Sequence, residues 1–226
     1  MTHNTQRPAA ILFDLDGTLV DTAPDLAGAI LDMQRDRGLP LTAYDSLRTV
    51  ASAGARGLLD AGFSLRPEDA DYNRLRDEFL QRYESRIAAE SRLFDGFEDL
   101  LSHFEDRNLL WGVVTNKAER LARLLMQGLG LDQRCAVLIG GDTTAHAKPH
   151  PLPCLTAAER IHVNARDCWY VGDDLRDVQA GRAAGMTTVA AAYGYCGPHD
   201  PPQQWGADHL VASVGELNAL LNVSAS

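Results

Sequence analysis

Asp14 and Asp16 stand one residue apart at the end of a short apolar run, Ala9 to Phe13, and Gly17 follows them. A brief apolar run that ends in a glycine reads as a buried strand and a turn. Strand side chains alternate between faces, so Asp14 and Asp16 project together while Leu15 points back into the core. Gly17 lets the backbone leave sharply and approach a ligand closely. Two carboxylates so placed repel by about 4 kcal/mol at 4 Å with an effective dielectric near 20, and a cation is expected between them. An Asp-x-Asp pair by itself also serves as a plain loop or a helix cap.

Three later stations share this layout, an apolar run emptying into polar residues. Trp111-Gly112-Val113-Val114 leads to Thr115-Asn116-Lys117, and Ala136-Val137-Leu138-Ile139 leads to Gly140-Gly141-Asp142, with Lys148-Pro149 soon after. Trp169-Tyr170-Val171 leads to Gly172-Asp173-Asp174, with Asp177 beyond. In an open α/β sheet ligands bind outside the carboxyl ends of the strands, so these stations are expected to meet at one crevice.

Periodicity indicates the elements that would bring them there. After the first strand, Asp21 or Thr22 caps a helix with Pro24 in its first turn; Leu26, Ile30 and Met33 give the helical spacing, and Gly38-Leu39-Pro40 stops it. Further helices are expected over Arg56 to Ala61 and from about Pro67 to Ala89, where Leu75, Phe79 and Tyr83 form one stripe. No convincing strand interrupts residues 21 to 91. Beyond Asp95-Gly96 strands and helices alternate to the end, the pattern of parallel βαβ units. The expected architecture is an α/β core made of residues 1–20 and 92–226, with an all-helical insertion over residues 21–91. The stretch Gly197 to Pro202 reads as a rigid surface loop ahead of Trp205.

Composition narrows the partners. The 226 residues, 45% hydrophobic, suffice for one large domain or for a core with a small insertion. A formal charge of −10 argues against nucleic acid, whose phosphates need a basic face. Cys135, Cys154, Cys168 and Cys196 show neither Cys-x-x-Cys nor zinc-type spacing. Cys135 and Cys168 lie beside apolar strands, as small buried hydrophobes of a reducing compartment do. No apolar segment is long enough to span a membrane, and Met1 to Pro8 is a loose polar start without a signal core. The expectation is a cytoplasmic protein that acts on a small phosphorylated metabolite, engages neither nucleic acid nor membrane, and is a monomer or weak homodimer.

The order Asp14-x-Asp16, Thr115, Lys148, Gly172-Asp173-Asp174 resembles the haloacid dehalogenase-like superfamily of phosphatases, and Ala9 to Leu221 resembles its phosphoglycolate phosphatase-like branch. The resemblance implies a three-layer Rossmann-like core with a parallel sheet, plus an all-helical (type 1) cap inserted after the first strand. It implies a Mg²⁺-dependent phosphomonoester hydrolase working through an aspartyl-phosphate. In that scheme Asp14 is the nucleophile and Asp16 the general acid–base. Asp14, the backbone carbonyl of Asp16, and Asp173 hold the metal. The Thr115 hydroxyl and the amides around Asn116 bind phosphate at a helix start, and Lys148 offsets the charge of the transferring group. Plainer readings stand beside these. Asp173 can cap the helix that follows it, Asn116 can cap another, and Lys148-Pro149 can begin a third with proline in its first turn. Asp174 or Asp177 would orient a neighbour or cap a helix, and a metal-ligand role for either stays open.

Ser52-Ala53-Gly54-Ala55-Arg56 resembles the substrate-facing cap loop of this branch, where Arg56 would hold a carboxylate in a bidentate pair. Arg48 competes for that role, and a solvated arginine at a helix start is the bland alternative. His146 and His150 flank Lys148 and read as structural; His150 also replaces the acid of the more usual Lys-Pro-Asp-Pro, a helix-start detail. The cap loop, Leu109 to Lys117, Val171 to Asp177 and Tyr193-Gly194-Tyr195 resemble family members that dephosphorylate N-acetylmuramic acid 6-phosphate in cell-wall recycling. That is the expected substrate. 2-Phosphoglycolate, which also carries a carboxylate, is the alternative, and a sugar-phosphate mutase the more distant one. A dehalogenase would need neither Asp16 nor Asp173, and a non-catalytic binding module would be expected to lack Asp14 or Asp16.

Overall fold

The computed structural model describes residues 7–197 and 201–223. The chain opens with β1 (Ala10–Phe13), turns at Gly17 into β2 (Val20–Asp21), and runs through α1 (Ala23–Asp36), α2 (Tyr44–Arg48), α3 (Gly54–Phe63) and α4 (Tyr72–Ser85) before β3 (Arg92–Leu93). There follow α5 (Phe97–Asp106), β4 (Leu110–Val114), α6 (Glu119–Gly128), β5 (Val137–Ile139) and α7 (Leu152–Arg160). The remainder comprises β6 (Cys168–Gly172), α8 (Leu175–Ala183), β7 (Thr187–Ala191), β8 (His209–Val211) and α9 (Val214–Val223).

Six strands form one parallel sheet in the order β5-β4-β1-β6-β7-β8, the doubly wound order in which the chain reverses its direction of travel on either side of β1. β1 is central and fully buried, which is why its residues are continuously apolar rather than alternating. Ile11 and Phe13 pack with Phe97, Leu101, Phe104 and Leu125 on one face; Ala10, Leu12 and Tyr170 pack with Cys154, Ala157 and Ala180 on the other. The result is the expected three-layer α/β core with helical insertions. The four cysteines are free, with Cys154 and Cys168 buried. Among the described residues no helix is long and apolar enough to cross a membrane.

α1 to α4 bury their own apolar cluster, including Leu26, Ile30, Met33, Leu58, Phe79 and Tyr83, which Leu121 of α6 and Tyr195 join from the sheet side. The stripe Leu75, Phe79, Tyr83 is buried as its spacing predicts. Several boundaries differ from the sequence reading. α3 is longer than Arg56 to Ala61. α4 is shorter than Pro67 to Ala89: Arg66 N–H bonds the Asp69 carboxylate in a turn ahead of it, and Ala88 takes a positive φ of 61° beyond it. α2 went unforeseen because only Leu47 of its five residues is buried. Thr22 stands at the N-cap of α1, yet its hydroxyl makes no capping bond. The loop over Gly197 to Pro202 and the polar start lie partly outside the described residues, at 198–200 and 1–6.

The two crossings between helical segment and sheet are tied together. β2 and β3 pair antiparallel, Val20 with Leu93 and Asp21 with Arg92. Arg48 donates to both Asp21 oxygens at 2.7 and 2.8 Å and lies 4.8 Å over the Tyr195 ring. Asp25, wholly buried in α1, accepts from the Glu90 and Ser91 amides and the Ser91 hydroxyl. These bonds orient the helical segment above the carboxyl ends of β1 and β6.

Candidate active site

The four stations meet where β1, β4 and β6 end. They border a cavity of about 330 Å³ lined on the sheet side by Asp14, Asp16, Thr115, Asn116, Lys117 and Lys148, and on the helical side by Leu26, Ser52, Phe79, Leu80 and Tyr83. Asp173 sits just behind this lining, 2% exposed. Gly17 permits the approach: at φ 83°, a Cβ there would stand 2.3 Å from Asp173 Oδ2.

Asp14, Asp173 and Asp177 bring carboxylate oxygens within 4.8 Å of one another, and all three are buried. Lys148, also buried, is their shared cation. Its Nζ donates to Val114 O (3.0 Å), the Tyr170 hydroxyl (2.8 Å) and Asp177 Oδ1 (2.7 Å), and stands 2.9 Å from Asp14 Oδ1. An ammonium has three N–H donors. Those three bonds use them, so Asp14 Oδ1 receives charge but no well-aligned hydrogen bond and remains a buried, unpaired oxygen. Burial works against the Lys148 charge, but Asp14 and Asp177 outweigh it and hold the ammonium above the usual lysine range. Asp173 accepts from the Thr18 hydroxyl, the Ser52 hydroxyl and the Tyr195 amide, each at 2.9 Å. Even so, burial and then the charges of Asp14 and Asp177 push its carboxyl up to about 8. Burial raises Asp177 too, against the pull of Lys148. Three carboxylates around one ammonium lack positive charge, and a hard divalent cation with oxygen ligands fits that deficit and the unpaired Asp14 oxygen.

Asp16 is partly buried and lines the same cavity. Its Oδ1 accepts from the Thr22 hydroxyl at 2.6 Å and from Lys117 Nζ at 2.9 Å, while Oδ2 lies 3.2 Å from the same ammonium. Burial opposes the Lys117 charge, and Asp16 together with the Tyr83 oxygen more than restores it, so Lys117 is held above its ordinary range. Lys117 Nζ also lies 4.4 Å from the centre of the Tyr83 ring, within cation–π reach.

The N-cap before α8 is Asp174 rather than Asp173: Asp174 accepts from Arg176 N–H, and Asp177 reciprocates on Asp174 N–H to complete a capping box. α6 is capped at Ala118, not Asn116. The Asn116 amide instead clamps the Lys148 backbone, accepting from its N–H and donating to its C=O, both at 3.0 Å. α7 begins at Leu152, beyond Lys148-Pro149, and Leu152 N–H bonds His150 Nδ1, so His150 does act at the helix start. The Thr115 hydroxyl accepts from Lys117 N–H at 3.2 Å.

Neither arginine considered for the substrate carboxylate lines the cavity. Arg56 is exposed in a separate depression beside Asp60 and Arg66, because α3 turns it away from the sheet; Arg48 braces Asp21. The cations that do line it, apart from Lys148, are Lys117 and Arg176. Both stand inside stations visible in the sequence, directly after Asn116 and one residue past Asp174-Leu175, but a cation at a helix start carries no signal of its own. Arg176 grips Asp174 at 2.7 and 2.8 Å and donates to Ser52 O at 3.0 Å.

Crowded carboxylates around a buried lysine, at the switch point of a parallel sheet, suit the handling of a phosphoryl group, and they place this molecule among the α/β hydrolases of phosphate monoesters. The chain belongs to the haloacid dehalogenase-like hydrolase family, whose model matches residues 11–191, and to its phosphoglycolate phosphatase-like branch. It is 50% identical over 210 residues to a phosphoglycolate phosphatase of Xanthomonas campestris pv. campestris, covering 93% of this chain and 95% of that one. It is 44% identical over 216 residues to an N-acetylmuramic acid 6-phosphate phosphatase of Pseudomonas putida, covering 96% and 97%. In fold it is similar to the crystal structure of a predicted phosphoglycolate phosphatase from Haemophilus somnus 129PT, with a TM-score of 0.82, 24% identity, and 96% and 98% coverage.

Proposed function

We propose that this phosphatase hydrolyses 2-phosphoglycolate, with Asp14 as its nucleophile. The observation that carries the reading is the Asp14 carboxylate itself, which lines the cavity with Lys148 Nζ 2.9 Å from its buried Oδ1 and with Asp173 beside it. Asp14 attacks phosphorus and the bond from phosphorus to the alcohol oxygen breaks. Asp16 passes its proton to the departing oxygen. Asp16 then takes a proton from the water that attacks the aspartyl-phosphate, which frees inorganic phosphate and restores Asp14. Mg²⁺, when bound, supplies the positive charge that lets a carboxylate meet a phosphate dianion. Asp14 and Asp173 would hold it with the backbone carbonyl of Asp16, as the family resemblance implies. Asp177 suits a different task, since Lys148 and the Asp174 amide already engage its two oxygens; it positions the lysine. Thr115 and Lys148 bind the transferring phosphoryl group, and Asn116 acts by fixing the Lys148 backbone. Residues 21–91 form the cap over a core of residues 1–20 and 92–226, with the paired β2 and β3 as its neck.

The relatives support 2-phosphoglycolate over the sugar phosphate expected from the sequence, since identity is 50% to a phosphoglycolate phosphatase and 44% to the N-acetylmuramic acid 6-phosphate enzyme. One observation favours the sugar phosphate as a second reading: a cavity of about 330 Å³ with an apolar wall is roomier than a two-carbon acid needs. A phosphate-release assay over 2-phosphoglycolate, N-acetylmuramic acid 6-phosphate and common hexose phosphates tests both. The expected result is a kcat/KM for 2-phosphoglycolate at least about tenfold above the others. The reverse order would install the second reading. Undiminished turnover in EDTA would remove the metal from the scheme, and isomerised sugar phosphate without phosphate release would make the protein a mutase.

A further inference from the structure

Most polar groups on the cavity wall have partners within the protein. Tyr83 on α4 is an exception: it is 1% exposed, it lines the cavity, and its hydroxyl forms no well-aligned hydrogen bond. Beside it is Lys117, whose ammonium lies 4.4 Å from the centre of the Tyr83 ring and engages Asp16 at 2.9 and 3.2 Å. Asp16 accounts for at most two of the three ammonium donors. The Tyr83 oxygen is placed to take the third, so the phenol O–H is left without an acceptor beside a fixed ammonium, a site matched to an incoming anionic oxygen pair.

We infer that Tyr83 and Lys117 read the leaving group, binding a carboxylate carried by the same carbon that bears the ester oxygen. The inference rests on the proposed function, in which Asp16 protonates that oxygen. An acid must come within hydrogen-bond reach of the atom it protonates. Lys117 is bonded to Asp16, so the first atoms of the alcohol portion fall beside Lys117 and Tyr83. In 2-phosphoglycolate the carboxylate stands on that first carbon. In N-acetylmuramic acid 6-phosphate the lactyl carboxylate is across the sugar ring from the ester oxygen, and it cannot reach this pair while the ester oxygen is at Asp16. Leu26, Phe79 and Leu121 border the same part of the cavity and keep water from competing for the charged contact. A carboxylate reader here also fits the absence of Arg48 and Arg56 from the cavity lining.

The test compares 2-phosphoglycolate with ethyl phosphate, which has a methyl group in place of the carboxylate, in the full chain with Mg²⁺. Wild type, Tyr83→Phe, Lys117→Met and Lys117→Arg are measured. The preference for 2-phosphoglycolate should fall by about tenfold in Tyr83→Phe, chiefly through KM. It should fall further in Lys117→Met, where kcat also drops on both substrates because Asp16 loses its partner, and Lys117→Arg should recover part of the preference. The ratio of the two substrates within one variant does not depend on how much of it is folded. Equal losses on both substrates in Tyr83→Phe and Lys117→Met would overturn the inference while leaving 2-phosphoglycolate as the substrate. Loss of preference in only one of the two would overturn the pair as a unit. A wild-type enzyme that treats the two substrates alike would overturn the inference and the 2-phosphoglycolate reading together.

Discussion

On the sheet side of the cavity Asp14, Thr115, Lys148 and Asp177 are buried polar groups tied to the main chain or to one another, whereas on the helical side Leu26, Phe79 and Leu80 are held by packing alone and Tyr83 by packing and the Lys117 ammonium. The polar wall is inflexible for a physical reason. Its lysine is bonded to Val114 O in β4 and its backbone is clamped by Asn116, so each group inherits the placement of a central strand. The apolar wall inherits its position from helix–helix contacts and from a two-stranded neck. The walls touch through few polar contacts, among them Thr22 to Asp16, Ser52 to Asp173, Arg176 to the Ser52 carbonyl, and Lys117 against Tyr83. In the proposed scheme the chemistry belongs to the polar wall, and substrate choice is shared between Tyr83 of the apolar wall and Lys117 where the two meet.

The largest effect that would break this division is expected from Asp14→Asn. It should lower kcat by about 10⁴-fold or more, as removal of a nucleophile does. It should leave the melting temperature unchanged or higher, because one of three crowded carboxylates is neutralised. Retained turnover would mean that another group attacks phosphorus. Next comes Lys148→Met, which leaves Asp14 and Asp177 without their shared cation. Breaking a buried charge pair from one side costs about 3–5 kcal/mol, and urea unfolding in EDTA should show a loss of that order. A midpoint shift smaller than that of an exposed lysine would show that the cluster is not held by this charge.

Much of the polar wall was legible in the chain because it follows a rule of sheets. Ligand groups stand where parallel strands end, and strand ends are marked by apolar runs emptying into Asp14, Thr115 and Asp173. The α/β core and the helical stripe of α4 were legible for the same reason, periodicity. What escaped was direction. Arg56 has the right chemistry and the right neighbourhood, yet α3 faces it outward, and no spacing rule reports how a short helix is rotated about its axis. The spacing makes Tyr83 one member of a core stripe, which it is; that it also borders the cavity depends on how α4 lies over Lys117. Caps were misplaced by one to three residues at Asp173, Asn116 and Pro149, because several adjacent residues in each loop could do the same work.

A third effect is of intermediate size and concerns pH. Without metal, Asp173 is raised to about 8, against about 3.9 in an unfolded chain. Between those values the folded protein holds a proton that the unfolded chain releases, so stability of the metal-free protein falls as pH rises through that window. Asp177 is shifted in the same direction. Asp174 and Glu119 are shifted downward, so their contribution changes only below their ordinary range and does not mask the slope. Mg²⁺ should remove the penalty, stabilising more at pH 8 than at pH 5. Melting curves at both pH values, with EDTA and with Mg²⁺, should show this, and Asp173→Asn should flatten the EDTA series. A metal-free protein more stable at pH 8 than at pH 5 would contradict the crowding of these carboxylates.

The smallest expected effect sharpens the comparison most. Arg56→Ala alters a cation that the sequence suggests for substrate binding, on the loop next to Ser52, but whose side chain lies outside the cavity. An exposed arginine with no buried partner contributes within about 0.5 kcal/mol to stability. If the cap wall reads substrate only through groups that border the cavity, KM for 2-phosphoglycolate should change by less than about twofold, which is under 0.5 kcal/mol. A larger rise in KM, without a matching loss for ethyl phosphate, would mean that α3 rotates Arg56 inward when substrate binds. The helical wall would then select by moving, and the separation between a fixed chemical wall and a packed selective one would have to be redrawn around that motion.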